Sequence, residues 1–290
     1  MATCKQNLII ILKKFRLVKI SVFKIKQLVF YVHNLILQFE LKNKSNIVIL
    51  PHEGLGDLVV LIPALNKLSK RYKKVYIALN KWVQKSIVQI YDFPENIIFL
   101  NFEHDKSYNL SKESMGELSQ FGKLIMLGRY GYDPIFEYPN SFYINLGVST
   151  DLVGKKIDFK KEIIDLDLKI PKNYIYCNLQ TSIGKIQESF NSKNDLVVFR
   201  DKTSIAIGSS SESLQLFDVQ EETSLVLNLN IALNANEIHV SDAGFFNILI
   251  HIEDTPPIFV YTRPHNHSHN KKLYNLEFDG SINIIENSIK

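Results

Sequence analysis

A chain of 290 residues is long for one domain and comfortable for two of about 100–150 residues each. Hydrophobic residues at 46% and charged residues at 22% supply enough apolar surface for a sizeable core and exclude wholesale disorder. The net charge of +4 is unevenly placed: residues 1–45 carry nine Lys or Arg against one Glu, while the other 245 carry 25 against 29, which argues against a nucleic-acid binder.

The basic leader, residues 1–45, interleaves apolar clusters with Lys and Arg. Its longest uncharged run, residues 27–39, is 13 residues, short of the roughly 18–20 that span a bilayer. Lys19, Lys24 and Lys26 interrupt any signal-peptide core, and no small-residue cleavage site follows. Two readings stay open. One is a basic, apolar helix lying on an anionic membrane surface; the other is a helix packed on the first domain with its lysines snorkelling. Cys4 and Cys177 make no disulfide framework and fit no zinc spacing. Cys177 lies in the apolar run 174–179 and reads as a buried thiol, so the expected compartment is the reducing cytoplasm.

After a polar break at residues 42–45 the pattern becomes alternating apolar runs and amphipathic stretches. NIVILP (46–51) reads as a buried parallel strand. Residues 57–71 read as a helix with Leu58, Leu61, Ile62, Leu65 and Leu68 on one face, and Pro63 predicts a late start or a kink. VYIAL (75–79) predicts a second strand, residues 81–90 a helix, NIIFL (96–100) a third strand and KLIML (123–127) a fourth. Residues 151–172, dense in Lys and Asp, read as the crossing to a second domain. Its predicted elements are strands at 174–179, 196–199 and 204–208, a helix around 225–235, a strand at 237–240, a helix from Gly244 and a strand at 258–262. The resulting boundaries are a leader (1–45), a first α/β domain (46–160), a second (172–265) and a polar surface tail (266–290). Two Rossmann-like α/β domains facing across a cleft are therefore the expected fold, with ligands at the carboxyl ends of the strands.

Three strand ends carry candidate chemistry. Pro51-His-Glu-Gly-Leu-Gly-Asp57 joins the first strand to its helix; Gly54 and Gly56 allow a ligand close to the backbone, and the helix offers unpaired N–H groups to an anion. This is neither a P-loop nor a dinucleotide fingerprint, because no Lys-Ser/Thr follows, Val59 holds the third glycine position, and Asn80 replaces the acidic ribose ligand at the second strand end. Asp57 alternatively serves as a helix N-cap, worth about 1 kcal/mol. His52 lies at the cleft edge as a candidate contact for acceptor or phosphate, or as a structural residue. Val240-Ser-Asp-Ala-Gly244 places Asp242 to cap a helix or to bind sugar hydroxyls. Gln180-Thr-Ser-Ile-Gly-Lys185 offers Thr181, Ser182 and Lys185 as a phosphate cradle, or is a plain polar loop. His265, His267 and His269 alternate but lack a carboxylate or thiol partner, so no metal site is expected there. Asp165 and Asp167 read as a solvated linker pair, and no G-x-S-x-G elbow supports a hydrolase.

Residues 54–73, GLGDLVVLIPALNKLSKRYK, resemble the opening of the bacterial heptosyltransferases and their GT-B glycosyltransferase relatives, where Gly-Asp ends the first βα loop. Residues 237–264 resemble their donor segment, and residues 179–185 match more loosely the loop that touches donor phosphates. The resemblance implies a fold of GT-B type and a cytoplasmic enzyme, peripheral on the membrane if the leader binds it. The implied reaction is inverting transfer from a nucleoside-diphosphate sugar to a glycan or glycolipid acceptor; no metal or resident cofactor is expected where cationic side chains and helix N-termini neutralise the phosphates. The resemblance further implies Asp57 as general base and Thr181, Ser182, Lys185, Asp242, Gly244 and Thr262 as donor-binding residues; His52, Gly54 and Gly56, by their place in the first strand-end turn, fall on the acceptor side. Two positions depart from the family: Asn247 stands where it commonly has His, and Ala243 where it has Ser or Thr. These losses keep a second expectation alive, a GT-B-shaped binding protein that has lost catalysis.

Overall fold

A computed structural model describes residues 24–25, 28–29, 31–32, 35–42, 44–51, 54–102, 110–127, 139–160, 174–178, 180–181, 184–185, 197–200, 214–216, 224–242, 244–262 and 282–286. The predicted strand at 204–208 lies outside these residues.

The first unit is a parallel sheet of β1 (Asn46–Leu50), β2 (Lys74–Leu79), β3 (Ile97–Asn101) and β4 (Lys123–Met126) in the order β3-β2-β1-β4. Its helices are α1 (Leu55–Ser69), α2 (Lys81–Ile90), α3 (Lys112–Ser119) and α4 (Asn140–Asn145). β1 is central, and its uninterrupted apolar run follows from burial on both faces. Ile47 and Ile49 point into the large core, while Val48 and Leu50 join Ala78 and Leu118 on the α3 side.

The second unit is a parallel sheet in the order β12-β11-β10-β5-β8-β9. Its strands are β5 (Tyr174–Asn178), β8 (Val197–Arg200), β9 (Leu214–Leu216), β10 (Glu237–Ser241), β11 (Ile258–Thr262) and β12 (Ile282–Glu286), with helices α5 (Ser224–Leu233) and α6 (Gly244–Leu249). Two strands of this sheet were not expected from sequence. One is β9. The other, β12, corrects the polar surface tail: Ile282, Ile284 and Ile285 alternate poorly and are surrounded by polar residues, but Ile258 through Thr262 pair with residues 282 through 286 in register. The second sheet thus reaches past residue 265.

Between the sheets lies a double layer of helices, α1 and α2 from one unit against α6 and α5 from the other. One apolar core runs through both units, from Ile47 and Leu61 to Phe246 and Val240. This explains why α1 is buried on nearly every side. The single apolar face expected from Leu58, Leu61, Ile62, Leu65 and Leu68 is joined by buried Val59 and Val60. Packing between two layers leaves α1 only a narrow outer edge, where Asn66 is half-buried and Lys67 exposed.

Pro63 neither delays nor interrupts α1, which runs from Leu55 to Ser69. Proline removes the N–H owed to the carbonyl four residues back and crowds it, at a cost of about 3 kcal/mol in an unsupported helix. The carbonyl so affected is that of Val59; the next one, of Val60, accepts from the hydroxyl of fully buried Tyr143, from α4, at 2.7 Å. Burial pushes the Tyr143 phenol pKa up, opposed by a hydrogen bond from the Ala64 backbone N–H. Tyr174 of β5 makes a comparable bond to the Ile231 carbonyl of α5 at 2.5 Å. Cys177 of β5 is buried.

Residues 150–160 pack back on the first unit rather than crossing directly. Ile157 is buried, the Lys160 N–H bonds the Ile90 carbonyl at 2.9 Å, and Phe159 meets Tyr91 edge-on. Phe159 also meets the buried ring of His251, just beyond α6, at 6.3 Å. Burial lowers the His251 pKa from 6.5 to about 4. Between these values the unfolded chain binds a proton that the folded chain refuses, so the His251 contribution is complete above pH 6.5 and is lost as pH falls towards 4. Urea unfolding at pH 7 and pH 4 should show wild type losing roughly 3 kcal/mol more than His251→Phe. Equal losses in the two proteins would contradict this.

Candidate functional site

In each sheet the strand order reverses at one place, and ligands of open α/β sheets bind at such switch points, beyond the carboxyl ends of the strands. In the first sheet the reversal falls between β1 and β4, and in the second between β5 and β10. The glycine-rich turn of residues 51–57 leaves β1; the segments at 180–185 and 241–244 leave β5 and β10. All three sequence motifs therefore sit at switch points.

On the first side, α1 begins with Gly54 as its N-cap, with extended backbone. Asp57 is the third residue of the helix and not its cap, which corrects the capping alternative. Its carboxylate instead reaches back and accepts from the Gly54 N–H at 3.3 Å. That is half of a capping box. Asp57 is 6% exposed, with its charge at the positive end of the α1 dipole. His52 lies outside the described residues.

On the second side, residues 180–181 and 184–185 are two short paired strands, not plain loop. β6 (Gln180–Thr181) pairs antiparallel with β7 (Gly184–Lys185), Gln180 opposite Lys185 and Thr181 opposite Gly184, and β6 packs on β10. Ser182 lies outside the described residues, as do His265, His267, His269, Asp165 and Asp167. Asp242 follows β10, is 5% exposed, and its N–H bonds the Tyr261 carbonyl at 3.2 Å. Thr262 ends β11, the next strand. His239 braces β10: its imidazole bonds the Tyr261 hydroxyl at 2.9 Å and the Glu237 carboxylate at 3.3 Å, and stacks on Phe259. Burial lowers the His239 pKa, and Glu237 opposes the shift.

The two sides meet at a pair of glycines. A Cβ on Gly56 would stand 2.7 Å from Gly244 Cα and 2.7 Å from Asn247 Nδ2; a Cβ on Gly244 would stand 2.8 Å from Gly56 N. Real side chains do not approach so closely, so the N-terminal ends of α1 and α6 touch only because neither residue has a side chain. The departure at residue 247 lies in this contact, its amide against Gly56.

One further residue at this end of the first sheet was legible only as an absence. Asn80 follows β2 and caps α2 with extended backbone, but its side chain makes no capping bond, and Oδ1 is buried without a hydrogen-bond partner among the described residues. An orphan acceptor of this kind costs about 1–3 kcal/mol unless something donates to it.

No protein-family model matches the chain, and no curated protein is a significant match. Solved structures do match. The family 9 glycosyl transferase of Veillonella parvula DSM 2008 aligns with a TM-score of 0.50 at 14% identity, over 84% of this chain and 86% of that one. The dodecameric, iron-containing heptosyltransferase TibC, solved with ADP-D-beta-D-heptose, aligns with a TM-score of 0.52 at 12% identity, over 86% of this chain.

The chain has the GT-B fold.

The likeness to the heptosyltransferases expected from residues 54–73 and 237–264 thus holds at the level of the fold, with two Rossmann-like halves in the expected order. The GT-B chain described here covers 64% of TibC, whose enterotoxigenic E. coli H10407 form matches over the same share. Within this GT-B frame, Gly56 and Gly244 bring the two halves into direct contact beside Asp57 and Asp242.

Proposed function

We propose that the protein is a cytoplasmic glycosyltransferase that moves a sugar from a nucleoside-diphosphate sugar to a hydroxyl of a glycan or glycolipid, with inversion. The observation that carries this reading is the apposition of the two switch points through Gly56 and Gly244, which puts Asp57 on one side and the segments bearing Asp242, Thr181 and Lys185 on the other. The ADP-heptose bound by TibC supports a nucleotide-sugar donor for a chain of this fold.

In the proposed step, the acceptor oxygen attacks the anomeric carbon from the face opposite the diphosphate. Asp57 takes the hydroxyl proton, the bond from the anomeric carbon to the phosphate oxygen breaks, and the nucleoside diphosphate leaves with the bonding pair. Lys185, the Thr181 and Ser182 hydroxyls and the Gly244 N–H meet the charge on the leaving group, so no metal or resident cofactor enters the scheme. Asp242 and Thr262 hold the donor, while Gly54, Gly56 and His52 shape the acceptor side. The orphan Oδ1 of Asn80 adds an acceptor for a substrate hydroxyl at the same sheet end.

A binding protein without catalysis is the second reading, favoured by Asn247 in the glycine contact and by the loss of a hydroxyl at Ala243. A thermal-shift panel of nucleoside diphosphates and nucleotide sugars tests both readings, because a bound ligand raises stability by RT ln(1 + [L]/Kd). At least one donor should raise the melting temperature, and Lys185→Ala should weaken that binding by about 1–3 kcal/mol. No shift with any member would sink both readings; binding without transfer to any acceptor would leave the second. An unchanged affinity in Lys185→Ala would reduce this segment to a connector.

A further inference from the structure

Residues 24–25, 28–29, 31–32 and 35–41 are helical, and this segment enters β1. Its last turns dock on the first unit. Leu37 and Leu41, one turn apart, are buried in the core; the Gln38 side chain donates to the Asn145 carbonyl at 3.1 Å; and Glu40 pairs with Lys123. A different stripe faces outward. Ile25, Leu28, Val29, Val32, Leu35 and Phe39 recur at helical spacings of three and four, and each is 47% exposed or more, with Leu35 at 71% and Phe39 at 75%. Tyr31 and Ile36 of the same segment are exposed as well, and outside it the large exposed apolar side chains among the described residues are only Trp82, Val88 and Phe121, scattered in sequence. A contiguous apolar stripe of this kind on a soluble surface marks an interaction face.

Charge chooses among its possible occupants. Residues 1–45 carry nine Lys or Arg against one Glu, whereas the rest of the chain is net negative. A second copy of the chain would bring the same excess of positive charge to the contact and be repelled. A surface of anionic lipid headgroups attracts the lysines and arginines and admits the apolar stripe to the acyl boundary. No helix among the described residues is long and apolar enough to cross a bilayer. We propose that this segment is an in-plane docking helix for an anionic lipid surface, held to the first unit through Leu37, Gln38, Glu40 and Leu41. The proposal is independent of the chemistry at the glycine contact.

The test uses the full chain. Removing residues 1–42 would take Leu37 and Leu41 out of the core, so exposed point substitutions are the better probe. Flotation with vesicles of phosphatidylglycerol and phosphatidylcholine should show binding at least about tenfold above that to phosphatidylcholine alone, weakening as salt rises. Leu35→Glu with Phe39→Glu should lower that binding about tenfold or more with the melting temperature unchanged. Ile25→Glu with Leu28→Glu should do the same, away from the docked turns. Equal binding to both vesicle types, or binding untouched by either pair, would overturn the proposal. So would a wild-type oligomer in sedimentation that ignores vesicles and is split by these substitutions, since the stripe would then be a self-association face.

Discussion

Asp57→Asn is expected to slow sugar transfer by about 10²–10⁴-fold, the range for a lost general base, while leaving the fold intact. At the third position of α1 the asparagine Oδ1 can still accept from the Gly54 N–H, the bond the carboxylate makes at 3.3 Å. What disappears is the proton acceptor and one negative charge at the helix N-terminus, the latter worth about 0.3–1 kcal/mol at an exposed site and up to about 2 in partly buried geometry. Stability should therefore fall by no more than that, and donor affinity should barely change, because the donor contacts proposed here lie on the second unit. The measurement is single-turnover transfer with whichever donor raises the melting temperature, alongside donor titration and urea unfolding of both proteins. Full activity in the asparagine variant would end the assignment of Asp57 as base. A large fall in stability would instead make it a structural residue of the α1 N-terminus.

Gly56→Ala is expected to act on the contact between the two halves. The added methyl would lie 2.7 Å from Gly244 Cα and 2.7 Å from Asn247 Nδ2. The amide can swing away, but the backbone cannot, so α1 and α6 must separate. Overpacking of this kind costs about 1–3 kcal/mol, and transfer should fall more steeply than stability because a shift of about 1 Å between catalytic groups can cost on the order of 10²-fold. Adding Asn247→Ala removes one of the two clashes, and the double variant should regain little, because Gly244 Cα remains in place. Unfolding curves and transfer rates of the single and double variants check this. A Gly56→Ala protein with wild-type stability and rate would mean that the close approach of α1 and α6 is not needed.

Much of the scaffold is written locally. β11 was expected at residues 258–262 and lies there, and α2 was expected at 81–90 and lies there, because each is a run whose periodicity and flanking polar residues admit one conformation. β1, β2, β5 and β10 differ from expectation by a residue at an end, where a strand's length depends on its neighbour's register. The motifs at residues 51–57, 180–185 and 240–244 were recognisable as strand-end turns for the same local reason. Other features had no local signal. β12 becomes a strand only because β11 offers it a parallel edge. Val59 and Val60 look like the exposed flank of an amphipathic helix, and only the packing of α1 inside the molecule buries them. Pro63 reads as a break, yet α1 runs through it while buried between the two units, and the Tyr143 hydroxyl, from 80 positions later in sequence, bonds the Val60 carbonyl next to the one the proline leaves without its N–H. The orphan acceptor of Asn80 depends on what surrounds it rather than on its type. In sequence Gly56 reads as a turn glycine on the acceptor side, and Gly244 is given a donor role by the resemblance, each for its own backbone. Their shared role, letting two helix ends touch with no side chain between them, is a property of the pair across 188 positions, and only tertiary packing brings such a pair together.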